Sequence, residues 1–157
     1  YRRNGKTRGT ETGISNEEYF SRLCRQFIKV IGQPTADGQV FRVDLRLRPF
    51  GENGPLVMDF MGMERYYQEQ GREWERYALI KARVVAGDSA AGNYLLEQLH
   101  PFIYRRYLDF SAFESLREMK QMISIEVKRK GMANDIKLGP GGIREIEFFG
   151  QIFQLNR

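Results

Sequence analysis

The sequence predicts an α+β fold, a part containing short strands followed by an all-helical segment. Three observations carry that expectation. Val40 to Arg48 alternate apolar and polar side chains with a period of two, the apolar residues elsewhere mostly recur at the helical period, and strand signals stop near residue 88. The 157 residues, 41% hydrophobic and 13% aromatic, supply material for a core and exclude a disordered chain. No apolar run approaches the ~20 residues of a membrane span, and no signal-peptide pattern opens the sequence. A single cysteine, Cys24, excludes an internal disulfide framework and a clustered zinc site and points to a reducing compartment.

The elements follow in order. Residues 1–14 carry Arg2, Arg3, Lys6 and Arg8 against Glu11 alone, so most of the +5 formal charge sits in a Gly/Thr-rich segment. That segment reads as a mobile basic loop, and the near balance elsewhere argues against a nucleic-acid footprint. Ser15 and Glu18 have capping-box spacing, and Tyr19, Phe20, Leu23, Cys24, Phe27, Ile28 and Ile31 then follow the helical period. Cys24 lies on that stripe and reads as a buried small hydrophobe. Gly32 and Pro34 stop the helix.

From Val40 the period changes. Phe41, Val43, Leu45 and Leu47 take one face of a strand, and Arg42, Asp44, Arg46 and Arg48 take the other, until Pro49 ends it. Gly51 to Pro55 is turn material, and Leu56 to Met58 is expected to return as a short strand. Asp59 caps a helix carrying Phe60, Met63, Tyr66 and Tyr67, interrupted at Gly71. A second helix is expected from about Arg72 to Ala86, with Trp74, Tyr77, Ala78, Val84 and Val85 inward. A third spans about Ala90 to Tyr107, kinked or split by Pro101. Ser111 and Glu114 open another helix that closes on Lys128, Arg129 and Lys130 before Gly131. Asp135 to Leu138 reads as a short extended piece. Gly139-Pro140-Gly141-Gly142 then turns the chain into a last helix with Ile143, Ile146, Phe149 and Phe153. The composition change sets a domain boundary, 1–88 against 89–157.

The polar strand face is the most informative feature. Three guanidinium groups surround one carboxylate, Asp44. Guanidinium groups bind phosphate oxygens through paired hydrogen bonds, and a carboxylate can hold a hard divalent cation. Side by side they suit metal-assisted phosphoryl or nucleotidyl chemistry. Periodicity alone favours the plainer account, a solvated strand whose Asp44 pairs with adjacent arginines. Lys81 falls on the inner stripe of its helix and would need a carboxylate or a phosphate there, unless it snorkels at the core edge. Arg83, two residues on, belongs to another face. The Gly139–Gly142 turn precedes a helix but lacks the ending of a P-loop, so it reads first as a connection. Glu145 and Glu147 read as structural, and so does His100, which has no ligand-spaced partner.

Three runs add a resemblance. Phe41-Arg42-Val43-Asp44-Leu45-Arg46-Leu47-Arg48-Pro49-Phe50-Gly51, the stretch from Tyr67 to Arg83, and the stretch from Asp135 to Phe148 are similar, in that order, to the bifunctional glutamine synthetase adenylyltransferase/adenylyl-removing family. The resemblance runs from about residue 17 to the end and leaves out the opening basic segment. It implies a partial nucleotidyltransferase domain within 1–88, followed by the start of a helical domain. It implies removal of AMP from a tyrosine of glutamine synthetase by phosphorolysis, with inorganic phosphate as attacking group and ADP as product. Control by the PII signal protein and a cytoplasmic location follow from the same likeness, with neither nucleic acid nor membrane as partner.

The half of the family is implied by Leu45 and by Arg144-Glu145, where the adenylylating half tends to show Thr and Thr-Asp. The alternatives are that adenylylating half, using ATP, or a non-catalytic interaction module. By resemblance Asp44 is the catalytic third aspartate and a ligand for Mg2+ or Mn2+. Arg46 and Arg48, and less directly Lys81 and Arg83, are implied to hold nucleotide or phosphate. The paired aspartates that complete such a site are expected ahead of Tyr1, so the piece by itself is expected to be inactive.

Overall fold

A computed structural model describes residues 1–8, 12–104, 110–131 and 134–155, without the side chains of 110–113, 115, 116 and 119. It divides into two compact units, Tyr1–Gln70 and Gly71–Arg157. The division falls at Gly71 instead of near residue 88, because the helix after Gly71 packs with the later helices.

In the first unit, α1 spans Asn16–Gly32 and Ser15 Oγ accepts from the Glu18 N–H at 3.1 Å. Glu18 turns its carboxylate to Arg22. None of α1's side chains is buried: Phe20, Cys24 and Ile28 are half-buried, while Tyr19, Leu23 and Phe27 face solvent. Cys24 is thus at the edge of a face and not inside a core. The opening segment is tied down where described. Thr7 N–H donates to Ile14 O at 2.8 Å, Asn16 N–H to Gly5 O at 2.8 Å, and Lys6 and Ser15 form an antiparallel bridge. A Cβ on Gly13 would stand 2.5 Å from Thr7 O, so the two limbs approach too closely for a side chain there. Of the loop expected at 1–14, residues 1–8 and 12–14 are described and carry these contacts; Glu11 lies outside the described residues.

The expected strands do not form ladders. Among the described residues the extended pairings are two isolated bridges, Lys6 with Ser15 and Thr35 with Gly38. Val40 to Leu45 is open chain, joined to the end of α1 by Phe41 N–H on Ile31 O at 3.2 Å. Strand identity comes from a hydrogen-bonding neighbour, and no described segment supplies one. Phe41 and Leu47 accordingly stay exposed. Leu56–Met58 likewise carries no ladder. A 3₁₀ turn at Gly51–Asn53 leads to α2, Phe60–Glu69, capped by Asp59 on the Gly62 N–H at 2.9 Å. Tyr66 and Tyr67 are buried, and the Phe50 ring meets Tyr66 edge-on at 4.5 Å.

In the second unit, α3 (Glu73–Leu79) packs with α4 (Ser89–Ile103), α5 (Phe110–Arg129) and α6 (Ile143–Leu155). The core holds Tyr77, Leu95, Leu99, Ile103, Val127 and Leu155. Helix α3 is half the expected length. It closes through turns at Ile80 and Lys81, and residues 82–85 carry no regular structure, where two β-branched valines disfavour another turn. Val84 lies over Gly92, whose absent Cβ would stand 2.7 Å from a valine methyl, while Val85 is exposed. Pro101 sits in the last turn of α4, which ends at Ile103 without splitting. Tyr107 lies outside the described residues, and so does the Ser111 side chain of the expected cap.

Asp135 to Leu138 is not extended. Asp135 Oδ1 accepts from the N–H groups of Lys137 and Leu138 at 2.9 and 2.8 Å, folding the piece into an Asx turn. On α6 the expected apolar stripe of Ile143, Ile146, Phe149 and Phe153 is exposed, and the buried side carries Gln151 and Leu155.

Candidate functional site

The residues predicted on the polar strand face lie on a turn. Asp44 Oδ1 accepts from the Arg46 backbone N–H at 3.0 Å, and its two oxygens receive Arg46 Nε at 3.0 and 3.1 Å and Nη2 at 2.6 Å. A carboxylate two residues before the N–H it accepts bends the backbone, and the chain turns at Arg46-Leu47 instead of continuing straight. The Arg46 side chain and its backbone N–H hold the Asp44 carboxyl well below the usual carboxylate range, with Arg42 adding to the field. Both partners are exposed, so salt weakens the clasp. Guanidinium has five N–H donors; the Nη1 edge of Arg46 makes no bond among the described residues and stays open to an anion.

Arg48 does not share that face. Half-buried, it sends Nη1 to Leu45 O at 2.8 Å, Nη2 to Glu52 O and Gly54 O at 2.8 and 3.1 Å, and Nε to Gly54 O at 3.3 Å. Arg42 is exposed. The strand face of four charges is therefore corrected to one clasped pair beside an arginine turned into its own loop.

Lys81 and Arg83 belong to the second unit. Lys81 is exposed, beyond the end of α3, and donates to Glu147 Oε1 at 3.0 Å. The anion it needs is a carboxylate, and the inward placement expected for it fails because the helix stops first. That hydrogen bond, followed by the charge of Lys81, lowers the pKa of Glu147. Arg83 is exposed on the irregular stretch that follows.

At the glycine turn the donors of the α6 start are already taken. Ile143 N–H bonds Ile136 O and Arg144 N–H bonds Lys137 O, both at 3.0 Å, and Gly141 N–H reaches Glu145 Oε2 at 3.2 Å. The turn is a connection, as its sequence reads. His100 is exposed at the end of α4, its ring 4.4 Å from that of Tyr104, beside an open cleft of about 350 Å³.

Sequence reasoning missed the buried charges of α3. Glu75 and Arg76 are 2% and 3% exposed. Glu75 Oε2 accepts from Arg72 N–H at 2.8 Å, while Arg76 bonds Glu73 at 2.7 Å and Ile103 O at 3.1 Å. The i,i+3 spacing of Glu73 and Arg76 is the signal, but such pairs usually lie on the surface.

Among the described residues no group of three or more His, Cys, Asp or Glu side chains could hold a metal ion. Asp44 supplies one carboxylate, and that one is clasped by Arg46. The described residues alone do not fit a divalent-cation site.

Comparison with known proteins bears on the same segment. The family profile for glutamate-ammonia ligase adenylyltransferase matches residues 1–98, and that for GlnD PII-uridylyltransferase matches residues 117–157. The bifunctional glutamine synthetase adenylyltransferase/adenylyl-removing enzyme of Pseudomonas syringae pv. tomato is 63% identical over 155 residues, 99% of this chain and 16% of that protein. Those of Nitrosococcus oceani and Pseudomonas aeruginosa are 62% and 60% identical, over 100% and 99% of this chain and 16% of each relative. The similarity reaches the opening basic segment, which lies outside the three runs that carry the resemblance. The chain spans about a sixth of the length of these relatives.

Proposed function

The chain belongs to the glutamate-ammonia ligase adenylyltransferase family, and from that premise we propose that its Asp44 turn serves the deadenylylating half of a longer enzyme. The reaction is phosphorolysis of adenylylated glutamine synthetase. An oxygen of inorganic phosphate bonds the adenylyl phosphorus, the bond from that phosphorus to the tyrosine oxygen breaks, and the phenolate leaving group takes a proton from water. ADP and unmodified tyrosine result.

The single observation that carries this reading is the Asp44–Arg46 clasp within the Phe41–Gly51 run. Asp44 orients the guanidinium, and the open Nη1 edge of Arg46 is presented for phosphate oxygens, where it offsets negative charge in the transition state. Leu45 and Arg144-Glu145 support the choice of half by resemblance. The α+β nucleotidyltransferase fold, Mg2+ or Mn2+ as cation, control by the PII signal protein and a cytoplasmic location belong to the proposal for the longer protein. Other acidic groups would have to join Asp44 around a cation.

The test is an assay of the full-length parent with adenylylated glutamine synthetase and phosphate, and separately with unmodified glutamine synthetase and ATP, for wild type and Asp44→Asn. The proposal expects Asp44→Asn to abolish the phosphate reaction and spare the ATP reaction. Loss of the ATP reaction alone would assign the turn to the adenylylating half. Loss of neither would make it an interaction surface.

A further inference from the structure

Resting on the reading of Asp44 and Arg46 above, we propose that Arg48 is a positioning residue that sets their geometry through the peptide between them, and is not itself a ligand for phosphate. The Leu45–Arg46 peptide unit is held at both ends. Its N–H donates to Asp44 Oδ1 at 3.0 Å, and its carbonyl accepts Arg48 Nη1 at 2.8 Å and the Arg48 backbone N–H at 3.3 Å. Rotation of that one peptide would break the Asp44 contact and the Arg48 contact together. The same guanidinium grips Glu52 O and Gly54 O, so the two limbs of the loop from Leu45 to Gly54 close on one planar fork.

The loop is built around this closure. Pro49 is buried, and Phe50 takes a left-handed φ of 61° with its ring against Tyr66. A Cβ on Gly54 would stand 2.1 Å from Pro49 O, an approach that only glycine permits. Four donor contacts of Arg48 go to carbonyls of its own loop, which leaves little of the fork for a phosphate. An ammonium cannot reproduce three carbonyl contacts spread across one plane, so lysine is predicted not to substitute.

The experiment uses the full-length bifunctional protein and the variants Arg48→Lys and Asp44→Asn. Phosphorolysis kcat, KM for phosphate and the ATP-dependent reaction are measured, with hydrogen exchange of the peptide covering residues 44–54. Positioning predicts that Arg48→Lys lowers kcat by roughly 10–100-fold, moves KM for phosphate by less than about twofold, and speeds exchange in 44–54 alone. The ATP-dependent reaction serves as the folding control. Near-normal turnover in Arg48→Lys, or a raised KM for phosphate with kcat kept, overturns the inference. If Arg48→Lys loses both activities, the exchange data decide: acceleration confined to 44–54 supports it, and acceleration throughout the chain overturns it. Full activity in Asp44→Asn would sink the underlying reading instead, whatever Arg48→Lys does.

Discussion

Two arginine–carboxylate pairs of similar spacing have opposite surroundings. Asp44 and Arg46 meet in the open, 42% and 66% exposed, on a turn with no ladder partner among the described residues. Glu73 and Arg76 meet in α3, where the arginine side chain is 4% exposed and also holds the carbonyl that ends α4. An exposed pair is screened, exchanges readily with water and can hand a donor to an incoming anion. A pair whose guanidinium is buried, as that of Arg76 is, strands that cation away from water when it opens, so it serves packing. The lesson is that an arginine beside a carboxylate signals neither chemistry nor structure until its surroundings are known.

The strongest way to break this contrast is to remove one charge from each pair. In the full-length protein Asp44→Asn is expected to cost at least ~100-fold in phosphorolysis, with thermal stability unchanged within about 2 °C; a large loss of stability with activity retained would reverse the assignment. Arg76→Ala is expected to destabilise by about 2 kcal/mol, through the lost packing of a buried side chain and the lost bond to Ile103 O, read from denaturant unfolding. A change well under 1 kcal/mol would mean that the Glu73–Arg76 pair is dispensable.

Two smaller effects sharpen the comparison through pH. Burial pushes the Tyr77 hydroxyl up to about 12, because the phenolate is disfavoured inside the core. The neutral form then favours the folded state, a contribution fully present below pH 10, the ordinary value, and lost as pH rises through about 12. Tyr77→Phe should flatten that part of the alkaline unfolding profile, and an unchanged profile would place the titration elsewhere. At Glu147 the sign is opposite: Lys81 lowers its pKa, so the contribution is present above the ordinary carboxylate range and lost as pH falls through the lowered value. The pair is exposed, so Glu147→Gln should shift Tm by no more than about 2 °C, and only above that acid range.

Local signals were read well where the decisive contacts are local. Ser15, Asp59 and Gly71 marked helix ends that the structure keeps, since a cap needs only the next few residues. The period-two pattern of Phe41 to Arg48 was misread because alternation states which faces differ, not whether a neighbouring strand is present. The Asx turn at Asp135 was missed because the side chain competes with extended backbone at a position that periodicity does not register.

By itself the sequence determined the helical periods, the caps, the family and the presence of a carboxylate among arginines at residues 42–48. Only the tertiary structure decided that Arg48 folds back onto Leu45, Glu52 and Gly54, that Lys81 meets Glu147, and that Glu75 and Arg76 enter a core. The physical reason is range. Propensity and capping are set within a turn of chain, whereas the partner and the exposure of a charge depend on which distant or folded-back segment arrives beside it.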